Sequence, residues 1–142
     1  MILKVKKLHP DAKLPEYAHQ GDAGMDLYAL EDTIIRPGER EVIGTGIAIA
    51  LPPGTCALFW DKSGLAGKHG VTILGGVIDE GYRGEYKVIM HNLGKEDFVV
   101  KKHMKIAQAL IQRVESPQVV EVNEFEDETQ RGIGAFGSTG RF

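Results

Sequence analysis

One glycine-rich turn, Gly75-Gly-Val-Ile-Asp-Glu-Gly-Tyr-Arg-Gly84, holds an acid and a tyrosine. A carboxylate is ionised at neutral pH and can accept the proton of an attacking water, so Asp79 has the chemistry of a general base. The Tyr82 ring, three residues on, offers a flat floor for a sugar. A second segment, Arg131-Gly-Ile-Gly-Ala-Phe-Gly-Ser-Thr-Gly140, carries an arginine for phosphate, amides left open by glycine, and a ring able to cover a base. It is too poor in apolar surface to fold alone, and chain ends are poorly ordered unless tied down. The two segments together point to a phosphate-cleaving enzyme with a mobile lid.

Each of these residues also has an ordinary reading. Asp is favoured in hairpin turns whatever its chemistry, and Tyr82 reads equally as a cross-strand aromatic. Asp61-Lys-Ser-Gly-Leu-Ala66 gathers a cation, a hydroxyl and a glycine-adjacent amide in one turn. Such a turn can wrap a phosphate, but it lacks the Gly-x4-Gly-Lys frame of a Walker loop. Asp26, in Asp22-Ala-Gly-Met-Asp-Leu27, is placed to hold magnesium through water, since Mg²⁺ keeps several waters and borrows substrate phosphates. It reads equally as a turn residue. The histidines at 9, 19, 69, 91 and 103 show no metal-ligand spacing. Cys56 has no motif around it and reads as a small buried hydrophobe.

Short strands must position these residues. Ile47, Ile49 and Leu51 alternate with Ala48 and Ala50, and Tyr86, Val88 and Met90 alternate with Lys87, Ile89 and His91, the period of half-buried strands. Arg36-Pro-Gly-Glu39, Pro52-Pro-Gly-Thr55 and Asn92-Leu-Gly-Lys95 mark turns between them. Residues 104–114 fit a helix or a strand, and the absence of caps favours the strand. One short helix is expected over 63–68. This spacing suggests a sandwich, barrel or jelly roll.

Bulk properties agree. A chain of 142 residues is expected to form one domain with a real core. Glycine, at 18 residues, exceeds the average of about 7% and calls for many tight turns, hence an all-β chain. A net charge of −3 argues against broad nucleic-acid binding. The single cysteine rules out an intrachain disulfide, and nothing resembles a signal peptide or a membrane span. A reducing, cytoplasmic setting is the expectation.

In order along the chain, five motifs resemble those of the trimeric dUTPase family. They are Ala23-Gly-Met-Asp-Leu-Tyr-Ala29, Lys62-Ser-Gly-Leu-Ala66, Gly76-Val-Ile-Asp-Glu-Gly-Tyr-Arg-Gly-Glu85, Lys105-Ile-Ala-Gln-Ala-Leu-Ile111, and the tail from Arg131 to Gly140. The resemblance implies an all-β jelly-roll-like barrel or sandwich, residues 1–128, assembled as a threefold homotrimer, with a flexible glycine-rich C-terminal lid over residues 129–142. It implies Mg²⁺-dependent hydrolysis of dUTP to dUMP and pyrophosphate, which limits uracil in DNA and supplies dUMP for thymidylate synthesis. Active sites would be shared among subunits, with the tail supplied in trans.

By motif match, Asp79 would deprotonate the water attacking the α-phosphorus, and Tyr82 would pack beneath the deoxyribose. The hairpin backbone around Gly76, Val77 and Ile78 would read uracil. Lys62, Ser63, Gly64 and Gln108 would meet the phosphates. Arg131 and Ser138 would reach the terminal phosphate, Phe136 and Gly137 would close over the base, and Asp26 would steady Mg²⁺ through water.

This sequence departs from the family pattern at several points. Lys62 stands where Arg is usual, keeping the charge but losing bidentate geometry. Asp61 stands where Pro is common. Ala135 replaces a glycine of the tail, and Ile73 stands where some members carry an Asn for uracil. A deoxycytidine triphosphate deaminase shares the implied fold, but its Arg-Ser-Ser-x-Ala-Arg signature is missing from this sequence. A catalytically silent nucleotide sensor on the same fold is the alternative from another class.

Overall fold

The computed structural model describes residues 2–125, 129–135 and 138. The described chain is built from antiparallel strands and one short helix. In order these are β1 (Lys4–Lys7), β2 (Met25–Tyr28), β3 (Thr33–Ile35), β4 (Arg40–Gly44), β5 (Ile47–Ala50) and β6 (Thr55–Trp60). They continue with α1 (Ser63–His69), β7 (Val71–Leu74), β8 (Val77–Ile78), β9 (Lys87–Asn92), β10 (Phe98–Val100) and β11 (Lys105–Arg113). The largest sheet has the order β2-β11-β6-β8, a second runs β4-β9-β7, and two strand pairs, β1-β5 and β3-β10, complete the fold. This all-β arrangement is consistent with a jelly roll.

The expected strand over 104–114 is β11, which pairs with β2 on one side and β6 on the other. Two partners satisfy its backbone groups along both edges, which a helix would have had to do internally. β9 keeps its expected alternation, with Val88 and Met90 buried between exposed Lys87 and half-buried Ile89 and His91. β5 does not. Ile47, Ala48 and Ile49 are all buried, because isoleucine alternating with alanine alternates in size, not polarity, so both faces suit the interior. The core gathers Leu27, Ile35, Ile49, Val88 and Ile106 from strands of every sheet, with Tyr86 just before β9. Cys56 is buried, as expected for a small hydrophobe.

The expected helix forms, although Ser-Gly-Leu-Ala-Gly-Lys-His is a poor helix former with two glycines. It ends at Gly70, whose φ of 68° suits glycine and whose amide reaches the Ala66 carbonyl at 2.9 Å. Lys68 and His69 sit in its last turn, where cations are favoured. No helix among the described residues is long and apolar enough to cross a membrane.

Candidate active site

The residues singled out in the sequence fall into two groups. The first forms where β2, β11 and the start of α1 meet. Gln108 on β11 is directly opposite Asp26 on β2 and Trp60 on β6, so the three share one face of the sheet. Gln108 Nε2 donates to the Asp61 carbonyl at 2.8 Å. Gly24 makes room for it: a Cβ there would lie 2.6 Å from Gln108 Oε1. Ser63 and Gly64 are exposed at the helix start. The Leu65 and Ala66 amides both donate to the Lys62 carbonyl at 2.9 Å, which leaves the Ser63 and Gly64 amides outside the helical ladder.

Asp26 differs from a solvent-facing metal contact. It is 3% exposed, with Oδ1 bonded to Lys62 Nζ and Oδ2 2.6 Å from Lys105 Nζ. Lys62, expected to face phosphate alone, is therefore engaged by Asp26, and Lys105 joins the pair. Burial raises the Asp26 carboxyl, but hydrogen bonds and charges from Lys105 and Lys62 outweigh it and hold the group below its ordinary value. Among the described residues, no group of three His, Cys, Asp or Glu side chains is placed to cage a metal.

A depressed carboxyl contributes stability above its unfolded pKa, about 3.9, and loses it as pH falls through the folded value. The melting-temperature gap between wild type and Asp26→Asn should therefore be widest near neutral pH and close below about pH 4. Thermal melts across that range check this. A gap independent of pH would mean the two lysines add no net charge stabilisation.

The second group is the glycine-rich hairpin. Gly75 and Gly76 take φ of 69° and 95°, a region that disfavours other residues. A Cβ at Gly76 would also press to 3.0 Å from the Phe59 carbonyl. The Phe59 amide donates to the Gly76 carbonyl at 2.8 Å. Asp79 follows β8 directly and is exposed. Its carbonyl closes the turn by accepting the Tyr82 amide at 3.1 Å. Tyr82 folds back over Gly84, where a Cβ would lie 2.4 Å from the phenol oxygen, and its hydroxyl donates to the Glu85 carbonyl at 3.0 Å. Gly84 is thus a site residue that spacing alone did not reveal.

Val77, Ile78, Asp79, Tyr82, Glu85 and Lys87 line a cleft of about 210 Å³. Beneath it lies Tyr86, fully buried, 6.2 Å from the Tyr82 ring and 5.5 Å from Phe59. Burial pushes the Tyr86 phenol up to about 12.

The two groups are separate within one chain. Asp26 and Ile78 lie three strand spacings apart in the sheet, and Ile78 pairs with Ala57, three residues along β6 from Trp60. That is roughly 17 Å. In the tail, Arg131 Nε donates to the Gly134 carbonyl at 2.9 Å, and the Ser138 amide to Ala135 at 3.2 Å. Both Arg131 and Ser138 are exposed. Phe136, Gly137 and the 128/129 boundary of the expected lid lie outside the described residues.

The comparisons agree with one another. The dUTPase family model matches residues 10–140. A deoxyuridine 5'-triphosphate nucleotidohydrolase of Clostridioides difficile is 56% identical over 140 residues, 97% of each chain. One from Clostridium kluyveri is 54% identical over 142 residues, 99% of each. Among solved structures, a dUTPase variant of Staphylococcus bacteriophage 80alpha with dUpNHpp matches with a TM-score of 0.93 and 30% identity, covering 98% of both chains. A dUTPase variant from phage phi11 of S. aureus, described as coordinating a structural Mg(II) ion, matches with a TM-score of 0.85 and 27% identity, over 89% of this chain and all of that one. The motif order, the fold and these relatives lead to one conclusion: the chain belongs to the dUTPase family.

Proposed function

We propose that this chain hydrolyses dUTP to dUMP and pyrophosphate, with water attacking the α-phosphorus. The carrying observation is the hairpin that sets Asp79 and Tyr82 around one cleft. Phosphoryl transfer needs positioning and charge neutralisation more than covalent help. Asp79, exposed to the cleft, takes the proton of the attacking water. Tyr82, held over Gly84 by its own hydroxyl bond, lies beneath the deoxyribose and leaves no room for a 2′-hydroxyl. The backbone of Gly76, Val77 and Ile78 reads the base. Uracil accepts at O2 and O4 and donates at N3, whereas cytosine inverts the pattern at positions 3 and 4, so the wrong base leaves buried groups unpaired.

Ser63, Gly64 and Gln108 meet the phosphates, with Lys62 and Lys105 supplying positive charge around Asp26. Magnesium suits this donor set as an ion carried on the substrate's phosphates, since Asp26 stands there with no cage of acids among the described residues. When bound, it offsets phosphate charge, and Asp26 would contact it only through water. Arg131 and Ser138 reach the terminal phosphate, while Phe136 and Gly137 close over the base. Residues 129–142 act as the lid on a core ending near residue 128. The cytoplasm suits the single reduced cysteine.

The 17 Å gap, roughly, supports an active site shared between copies. One α-phosphorus cannot lie within reach of both Asp79 and the phosphate turn of the same chain. A homotrimer closes such heterologous contacts without open edges. The outer face of the large sheet suits coverage by a second copy: Val77 and Trp60 are exposed beside half-buried Leu58 and Leu110. Light scattering should then give about three times the 15.5 kDa chain mass.

The deciding experiment measures pyrophosphate release from dUTP, dCTP, dTTP and UTP side by side. Rapid release from dUTP alone supports the reading. Ammonia from dCTP would move the chain to the deaminases, and silence toward all four would make it a sensor.

A further inference from the structure

An acid beside a phosphate-binding turn needs an explanation, because its charge opposes the ligand. Asp61 directly precedes Lys62, and its carboxylate is turned away from the helix start. Oδ1 accepts the Ile73 amide at 2.7 Å and Oδ2 accepts the Thr72 hydroxyl at 2.9 Å. Its own carbonyl accepts Gln108 Nε2 at 2.8 Å. One half-buried residue thus joins the turn to β11 on one side and β7 on the other. β7 runs within two residues into Gly75 and Gly76 of the hairpin.

Two further contacts hold the turn, the Lys62–Asp26 ion pair and Leu65 packed against the core, but no residue of α1 is fully buried and no side chain caps its start. Two hydrogen bonds to one half-buried side chain from adjacent residues of β7 hold direction as well as distance. A proline at this position would restrain the turn through its ring, but it has no side-chain acceptor to reach β7. The aspartate restrains it through bonds to the neighbouring strand.

We propose that Asp61 is a positioning residue for dUTP hydrolysis, tying the phosphate turn Lys62–Gly64 to the strand that carries the base-reading hairpin. This rests on the hydrolase reading above. Small displacements of binding groups cost reactions dearly. Loss of the tie lets the phosphate turn drift while Asp79 and Tyr82 keep their own turn contacts, so the deficit falls on substrate binding.

The test compares wild type, Asp61→Ala, Asp61→Asn and Thr72→Val in the full-length assembly. KM and kcat for dUTP are read alongside hydrogen exchange at the Ile73 amide. Asp61→Ala should raise KM about tenfold, leave kcat within about threefold, and speed Ile73 exchange. Asp61→Asn keeps an acceptor for Ile73 and a donor for the Thr72 hydroxyl, so it should stay within about threefold of wild type in KM. Thr72→Val, which removes one bond, should fall between them.

The proposal is overturned if Asp61→Ala leaves KM unchanged, or lowers kcat alone as a loss of folded sites would. It is also overturned if Asp61→Asn is as impaired as Asp61→Ala, which would assign the effect to charge. Wild type that releases no pyrophosphate sinks the hydrolase reading itself. An active wild type with an indifferent Asp61→Ala sinks only the tie.

Discussion

Asp79→Asn should abolish hydrolysis while leaving nucleotide affinity nearly intact. The amide keeps the size and shape of the carboxylate but cannot accept a proton from water. General-base catalysis contributes about 10²–10⁴-fold, so kcat should fall by that factor. The fold should not respond, because the Asp79 contact that closes the turn is made by its backbone carbonyl. Glu80, the neighbouring acid, cannot stand in. Its carboxylate accepts the Gly54 amide at 2.8 Å and ties the hairpin to the loop before β6. The measurement is kcat for dUTP beside the dissociation constant of a non-hydrolysable analogue. A variant retaining more than roughly a tenth of wild-type kcat would remove Asp79 from the role of base.

What the sequence made legible was local. Gly75 and Gly76 announce positive φ, and the structure uses it at both. Alternation over Tyr86–His91 gives β9 because Lys87 and His91 place polar side chains on the face opposite Val88 and Met90. The same reasoning misjudged Ile47–Ala50, where size alone alternates. The contacts that build the phosphate group were not legible, because they join residues far apart in sequence. Asp26 meets Lys62 and Lys105 only once β2 lies against β11, in a pairing whose register shifts between Lys105 and Ala107. Asp61 finds Thr72 and Ile73 only once β7 lies alongside. Gly24 and Gly84 carry no turn signal of their own. Each is required by a neighbour, Gln108 or Tyr82, that occupies the space a side chain would fill.

Removing the chain after Thr129 should lower kcat/KM for dUTP at least tenfold or so, with little change in the number of associated copies or in melting temperature. The described tail residues support the second half of that statement. Arg131, Gly132, Gly134 and Ser138 make their hydrogen bonds to other residues of the tail, and Ile133 is fully exposed, so none of these described residues takes anything from the core when it is removed. The first half follows from chemistry. Aromatic stacking on a base is worth about 1–3 kcal/mol, which Phe136 would supply over uracil. Arg131 would add a charge-assisted contact to the terminal phosphate. Among the described residues its guanidinium donates to the Gly134 carbonyl, a local bond that the exchange would cost. Because the terminal phosphate is the part that engages Arg131, dUDP should gain less from the tail than dUTP, and truncation should cost it less. Parallel kinetics of the two nucleotides on full-length and truncated protein check both statements. Truncated protein that hydrolyses dUTP within about twofold of full length, well inside the stacking estimate, would leave the tail without a part in catalysis.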